Sequence, residues 1–286
     1  MKIVILGPTA SGKTHIAYKI AKKYNGILIS ADSRQVYKYL DIGSNKERFI
    51  DIPTYLIDII TPDQRYNAYQ FQIDANKIIK ENKDKPIIIV GGTYLYIKSL
   101  IYNLKLGEIP NISQRKELET KELAHIQNLL KIKNPIFFSK LNNSDLHNKR
   151  RLIRYLEIDL SNIGKELKLN PDYKLIQSSI PKEDIIKNIQ SRTKTMIKQG
   201  LIDECKKVLS IGYSKNDPGL QMIGYKETLE YIEGKIHNIE DLENRINKST
   251  IHLMKKQITF LKQDTNISNI PPKDIIQTTD KYINKI

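Results

Sequence analysis

Ile3-Val4-Ile5-Leu6-Gly7-Pro8-Thr9-Ala10-Ser11-Gly12-Lys13-Thr14 runs from four apolar residues straight into a glycine-bounded turn that ends in Lys-Thr. A buried strand, a glycine turn and then a helix is the context in which such a turn cradles phosphate. Glycines at both ends let the backbone curl so that successive N–H groups face one anion. Lys13 adds a point charge, and Thr14 offers a hydroxyl to Mg²⁺. Ile16, Ala17, Ile20, Ala21 and Tyr24 then share one helical face, which would fix the helix on a sheet with its positive end toward the anion. A chance glycine turn is the bland alternative. Pattern and context together favour a di- or triphosphate held by Gly7, Pro8, Thr9, Ala10, Ser11, Gly12, Lys13 and Thr14.

Four further apolar segments read as buried strands: Gly26–Ser30, Tyr55–Ile59, Ile87–Val90 and Lys174–Gln177. Helical periodicity lies between them, notably from Ala68 to Asn82, where Phe71, Ala75, Ile78 and Ile79 share a face. Alternating strands and helices predict an α/β fold, a parallel sheet covered by helices on both sides, with its ligand at the carboxyl ends of the strands. That rule gathers Gly7–Thr14, Asp32-Ser33 and Gly91-Gly92-Thr93 around one crevice. Between about Asn111 and Pro171 no strand is evident, and short polar helices such as Ser113–Ile132 and Asp145–Leu160 are expected, with Pro110 and Asn170-Pro171 punctuating the ends. The predicted organisation is a core of residues 1–110 and 172–286 and a helical insertion of residues 111–171. Ile185 to about Lys262 reads as helical, whereas Pro271-Pro272 argues against a continuous helix in the tail after Asp264.

At 286 residues and 40% hydrophobic, the chain can bury one large domain carrying an insertion. Its apolar runs are too short for a membrane span, and its first residues read as a strand rather than a signal peptide, so a cytoplasmic protein is expected. One cysteine, Cys205, excludes an intrachain disulfide framework, and the five histidines show no ligand spacing. The formal charge of +15 fits either a coding bias toward Lys, Ile and Asn or a polyanionic partner. Arginine is harder to ascribe to composition, which singles out Lys149-Arg150-Arg151 with Arg154.

An ordinary ATPase of this loop type carries an acid at the end of a second apolar strand. Ile87–Val90 ends instead in Gly91-Gly92-Thr93. The acid just past a strand and beside a polar cluster is Asp32, in Ser30-Ala31-Asp32-Ser33-Arg34-Gln35-Val36-Tyr37. It could bind metal, take a proton from a nucleophile, or cap a helix beginning near Ser33.

The motifs Gly7–Thr14, Asp32–Tyr37, Asp41-Ile42-Gly43, Leu56-Ile57-Asp58, Val90–Tyr96, Arg151–Glu157, Ile223–Glu227 and Lys256-Gln257-Ile258-Thr259 follow one another in this order. In them the chain resembles the bacterial tRNA dimethylallyltransferases, over residues 3 to about 262. That resemblance implies transfer of a dimethylallyl group from dimethylallyl diphosphate to the N6 amine of the adenosine 3′ of the anticodon, in tRNAs that read codons beginning with U. It implies a monomer, Mg²⁺, the tRNA anticodon stem-loop as partner, and an ATP-type loop that hydrolyses no ATP. Position by position, Lys13 and the loop amides match the diphosphate ligands, Thr14 the Mg²⁺ ligand and Asp32 the general base. Asp32, Ser33, Arg34 and Gln35 match the segment on the target base, Thr93 and Arg115 match tRNA contacts, and Arg150, Arg151, Leu152, Ile153 and Arg154 match a stretch that grips RNA.

Family members commonly have His at Tyr55, Thr at Ser44 and Trp at Phe260. A variable family arginine falls near Gln221, which leaves open the cation that assists Lys13, with Lys226 a candidate. Tyr37, Tyr94 and Tyr96 could line a prenyl or base channel or simply be core. Rival readings are an adenylate isopentenyltransferase, which would not need the basic insertion, a nucleotide kinase, which would need an arginine-rich lid, and a basic nucleic-acid-binding NTPase without prenyl chemistry.

Overall fold

Strand β1 (Lys2–Leu6) is apolar on both faces because both are covered. The computed structural model describes residues 2–106, 112–158 and 167–283. After β1 come α1 (Lys13–Lys23), β2 (Ile27–Ser30), β3 (Thr54–Tyr55), α2 (Ala68–Glu81), β4 (Ile87–Gly91) and α3 (Tyr94–Ile101). Five helices follow: α4 (Ile112–Thr120), α5 (Leu123–Lys133), α6 (Pro135–Ser139), α7 (Asn143–Leu146) and α8 (Lys149–Glu157). The chain then returns through β5 (Tyr173–Ser178), α9 (Lys182–Lys198), α10 (Leu201–Ser210), α11 (Tyr225–Ile232), α12 (Ile239–Leu261), β6 (Ser268–Ile270) and α13 (Pro272–Ile283).

The six strands pair in parallel in the order β3-β2-β4-β1-β5-β6. Successive residues alternate faces. Ile3, Ile5, Leu28, Ile88, Val90 and Ile176 meet Ala17, Ile20 and Ala21 of α1 and Ile275 of α13, while Val4, Leu6, Ile27, Ile29 and Ile87 are also buried. Each such side chain contributes about 1.5–3 kcal/mol by leaving water. A second core gathers Val36, Tyr37 and Leu40 onto α10, α11 and α12 through Leu201, Cys205, Val208, Tyr225, Leu229, Leu242 and Ile246. Burial pushes the Cys205 thiol up to about 12, which leaves it unreactive. Among the described residues no helix is long and apolar enough to cross a membrane.

The chain divides into two compact units, Met1–Tyr102 with Leu169–Ile286, and Asn103–Lys168. In the second, Ile126 and Leu130 of α5 pack on Leu152 and Ile153 of α8. The stretch expected as one helix over Ser113–Ile132 is split into α4 and α5 at Lys121-Glu122. The stretch from Asp145 is split into α7 and α8, where the Asn148 side chain caps α8 by accepting from the Arg151 N–H at 3.1 Å. Pro110, Asn111 and Leu160, named above as boundaries, lie outside the described residues.

Two expectations are corrected in the core unit. The strand expected at Tyr55–Ile59 ends at Tyr55, because Leu56 and Asp58 adopt left-handed φ of 63° and 57°. This bend aims the Asp58 carboxylate at Lys46, 2.6 Å away with a side chain fully shut off from water, and at Arg48, 2.7 Å away. The tail, expected to lack a continuous helix, forms the edge strand β6 and then α13. Pro272 stands at the head of α13, where a missing N–H costs nothing. Asp280 ties the helix to Lys23 at 2.7 Å and accepts from the Tyr24 hydroxyl.

Because Ile275 is fully buried against the sheet, Ile275→Ala should destabilise the protein by about 2–5 kcal/mol. Urea unfolding followed by circular dichroism measures this. A loss below ~0.5 kcal/mol would mean that α13 is a surface appendage.

Candidate active site

Three strands end side by side, and each is followed by a polar turn. After β1 comes Gly7–Thr14, after β2 comes Asp32, and after β4 come Gly92 and Thr93. The last two turns touch. Thr93 donates its N–H to the Ala31 carbonyl at 3.2 Å, while its hydroxyl oxygen accepts from the Ser33 N–H at 3.0 Å and lies 3.2 Å from the Ser33 hydroxyl. A β-carbon at Gly91 would lie 2.2 Å from the Ala31 carbonyl oxygen, so β4 approaches this closely only because the residue is glycine. The turns that the sequence was expected to gather thus follow the carboxyl ends of three adjacent strands.

Asp32 is half-buried, and its Oδ1 accepts from the Arg34 N–H at 2.9 Å. This contact closes a turn, and no helix starts at Ser33. Gln35 is fixed by the Ser30 hydroxyl at 2.8 Å and by its own amide donating to the Asn45 carbonyl at 3.3 Å. Lys13 is buried and donates to the Pro8 carbonyl at 3.1 Å. Burial lowers its ammonium to about 8 against the pull of Asp32 and Glu47, with Arg192 and Arg34 adding repulsion. Among the described residues the Thr14 side chain has no hydrogen-bond partner, and it is half-exposed at the first turn of α1.

Arg192 on α9 was not foreseen. It donates to the Thr9 hydroxyl at 2.9 Å, and its Nε is buried without an acceptor among the described residues. Burial lowers the guanidinium to about 10, Arg34 lowers it further, and Asp32 opposes the shift. One turn earlier on α9, Asn188 donates to the Ala10 carbonyl at 3.2 Å. Gln257 on α12 accepts from the Thr9 N–H at 2.8 Å and donates to the Gly92 carbonyl at 2.9 Å. Glu47, whose carboxyl is raised by burial and lowered by His15 and Lys13, lies in the same field. Arg192, rather than Lys226, supplies the cation beside the loop. Lys226 and Gln221 are exposed, and Gln221 donates to the Lys215 carbonyl at 2.5 Å.

Other singled-out residues are structural. Tyr96 is buried, stacks on Phe71 at 4.9 Å and donates to the Tyr66 carbonyl, Tyr94 donates to Asp264, and Tyr37 is core. The Asp41-Ile42-Gly43 amides converge on the Glu204 carboxylate at 2.8, 2.9 and 3.3 Å, and the Tyr225 hydroxyl donates to the same group at 2.6 Å.

In the second unit Arg150 is exposed, Arg151 pairs with Asp145, and Arg154 pairs with Glu157 at 3.3 Å and donates to the Leu106 carbonyl. Arg115 lies 3.5 Å from both Glu119 and Glu157. Leu152 and Ile153, grouped with these arginines in the sequence reading, are buried at 0% and 1% exposure, and their side chains pack on Ile126 and Leu130 and hold α8 in place.

Buried donors around Lys13, Arg34 and Arg192 suit a ligand with several negative oxygens. A divalent cation fits only alongside such a ligand. The described residues contain no cluster of three acidic, His or Cys groups, and Thr14 offers one hydroxyl. That donor set suits Mg²⁺, which keeps waters and substrate phosphate oxygens as its other ligands.

Comparisons with known proteins show which family the chain falls in. A family model described as IPP transferase matches residues 35–264, and one described as isopentenyl transferase matches residues 1–53. The chain is 40% identical over 285 residues to the tRNA dimethylallyltransferase of Endomicrobium trichonymphae, covering 93% of each. It is 38% identical over 283 residues to that of Thermoanaerobacter sp. strain X514, covering 91% of this chain and 88% of the relative. The crystal structure of tRNA delta(2)-isopentenylpyrophosphate transferase from Staphylococcus epidermidis superposes with a TM-score of 0.73 at 32% identity, over 100% of this chain and 99% of that one. The chain belongs to the IPP transferase family.

The lowered Lys13 has a measurable consequence. Below pH ~8 the free protein already carries the ammonium that an anion needs. Between about 8 and the ordinary 10.5 the free amine has lost its proton, so binding an anion must draw one back from solvent. Calorimetry at pH ~9 in buffers of different ionisation heat should show uptake of close to one proton per fully ionised diphosphate monoester bound, and Lys13→Met should abolish it. Equal proton counts for both proteins would remove Lys13 from the anion site.

Proposed function

We propose that the protein transfers the dimethylallyl group of dimethylallyl diphosphate to the N6 amine of the adenosine 3′ of the anticodon, in tRNAs reading codons that begin with U. Diphosphate is released. One observation carries the reading: Lys13 and Arg192 reach into the phosphate loop at Pro8 and Thr9, Arg34 closes the Asp32 turn, and all three buried cations share the pull of the Asp32 carboxylate. Cations suited to a leaving diphosphate thus stand beside a base suited to an incoming amine.

In the reaction the allylic C–O bond breaks and its electron pair leaves with the diphosphate. The N6 lone pair forms the new C–N bond, and the amine proton passes to Asp32. Lys13, Arg192 and the loop amides stabilise charge on the departing oxygens. Mg²⁺ held by Thr14 and the phosphate oxygens would neutralise part of that charge. Asp32 supplies what the weakly nucleophilic amine lacks, an acceptor for its proton as the bond forms. The adenine must leave its stack, which an anticodon loop permits at low cost. Ser33, Arg34, Gln35 and Thr93 border its position, while exposed Arg150 offers its guanidinium group to RNA phosphates directly and Arg115, Arg151 and Arg154 do so in exchange for carboxylate partners. The enzyme works as a monomer in the cytoplasm, where its tRNA is found, and consumes no ATP.

β4 ends in Gly91-Gly92-Thr93 without a carboxylate, which speaks against ATP hydrolysis as the chemistry. Labelled dimethylallyl diphosphate offered with total tRNA, AMP or ATP should label tRNA alone. Asp32→Ala should lower that transfer by ~10²–10⁴ while tRNA affinity stays within a few-fold. Labelled AMP or ATP would redirect the assignment to a nucleotide acceptor. A variant retaining more than about a tenth of the activity would leave Asp32 only its role in closing the turn.

A further inference from the structure

Gln257 holds two loops with one side-chain amide. Its oxygen accepts from the Thr9 N–H at 2.8 Å, and its nitrogen donates to the Gly92 carbonyl at 2.9 Å. These partners belong to the turn after β1 and the turn after β4, which leave neighbouring strands paired at Leu6 and Gly91. A β-carbon at Gly92 would lie 2.5 Å from the Gln257 nitrogen, so glycine there admits the amide. From Gly92 the connection continues: Thr93 accepts from the Ser33 N–H at 3.0 Å, and Ser33 follows Asp32. The Thr9 amide, sequence-wise one of the phosphate-facing donors, is therefore engaged by Gln257 and acts as a strut.

Gln257 is itself firmly carried. Its neighbours Met254 and Ile258 on α12 pack against Ile185 and Ile189 of α9, the helix whose Asn188 and Arg192 hold Ala10 and Thr9. Helices α9 and α12 thus fix the loop arm Thr9-Ala10 from three side chains, and of these three Gln257 extends that grip to the turns that place Asp32. We infer that Gln257 is a positioning residue that sets the separation between the diphosphate cradle and the general-base turn. Resting on the prenyl-transfer reading above, this gives Gln257 a role in bringing the allylic carbon and the amine into register. It contributes little to holding either substrate. Misplacement by about 1 Å can cost on the order of 10²-fold in rate without a matching loss of binding.

Two variants test the idea. Gln257→Met keeps the length and removes both hydrogen bonds. Turnover should fall about tenfold to hundredfold, with the dimethylallyl diphosphate KM and the tRNA Kd within about threefold of the parent. Gln257→Glu gives a sharper signature. A carboxylate can accept from Thr9 but repels the Gly92 carbonyl, whereas a protonated carboxyl makes both bonds. The ratio of variant to parent turnover should therefore climb as pH falls from ~8 toward ~5.5, and Gln257→Met should show no such climb. Combined with Thr93→Val, the loss from Gln257→Met should be less than additive, because both changes cut the same connection.

Parent activity is the control. A parent that transfers no prenyl group refutes the functional reading itself. A parent that transfers it, with kcat unchanged in Gln257→Met or a flat pH ratio in Gln257→Glu, overturns the positioning role. A large rise in either KM or Kd at unchanged kcat would make Gln257 a binding residue and also overturns it.

Discussion

The site depends on one electrostatic constraint. Cationic side chains from three separate parts of the chain, Lys13, Arg34 and Arg192, are held in low-dielectric surroundings around one carboxylate. Burial lowers all three groups, which is the physical statement that each would gain from further negative charge nearby. Strongly shifted groups of this kind cluster at functional sites, where they are poised for a ligand. Here the charges gather where parallel strands end and the first turn of α1 begins, so oriented backbone amides add their partial charges to the same region.

The scaffold makes this arrangement stiff. Ile3, Ile5, Ile88 and Val90 fill one face of the central strands against α1, and Met254 with Ile185 and Ile189 locks α12 to α9. Side chains that project from these packed elements toward the crevice have little freedom to drift. The ion pairs around Lys46 and the nest of amides on Glu204 serve a related end. They pin the segment that follows the Asp32 turn, so motifs that stand out in the sequence hold up a site that they do not line.

Local constraints were legible in the sequence, and distant ones were not. Gly7–Thr14 could be read because anion binding, tight turning and helix initiation all act within eight consecutive residues. Asp32 could be read from its place just past a strand. Arg192 and Gln257 lie on ordinary amphipathic helices, and their partner Thr9 stands 183 and 248 residues away. Nothing in local spacing marks Arg192, and Gln257 stands in the sequence only as part of the motif Lys256-Gln257-Ile258-Thr259, with no role attached to it. The short β3 shows a different limit: Leu56-Ile57-Asp58-Ile59 has strand composition, but two left-handed residues bend it so that Asp58 meets Lys46, a partner that the local pattern does not reveal. In the tail, Pro271-Pro272 stops a helix only if it lies inside one, and here it stands before the first turn.

The most direct test of the account is the affinity for dimethylallyl diphosphate in the presence of Mg²⁺, measured by calorimetry for the parent and for Arg192→Gln. The buried guanidinium contributes charge and an Nε donor with no acceptor among the described residues, so its loss should weaken binding about tenfold to a hundredfold, the scale of a charge-assisted hydrogen bond. tRNA binding should be little altered. Equal diphosphate affinity in the two proteins would contradict the claim that the buried cations at the strand ends exist to receive that ligand.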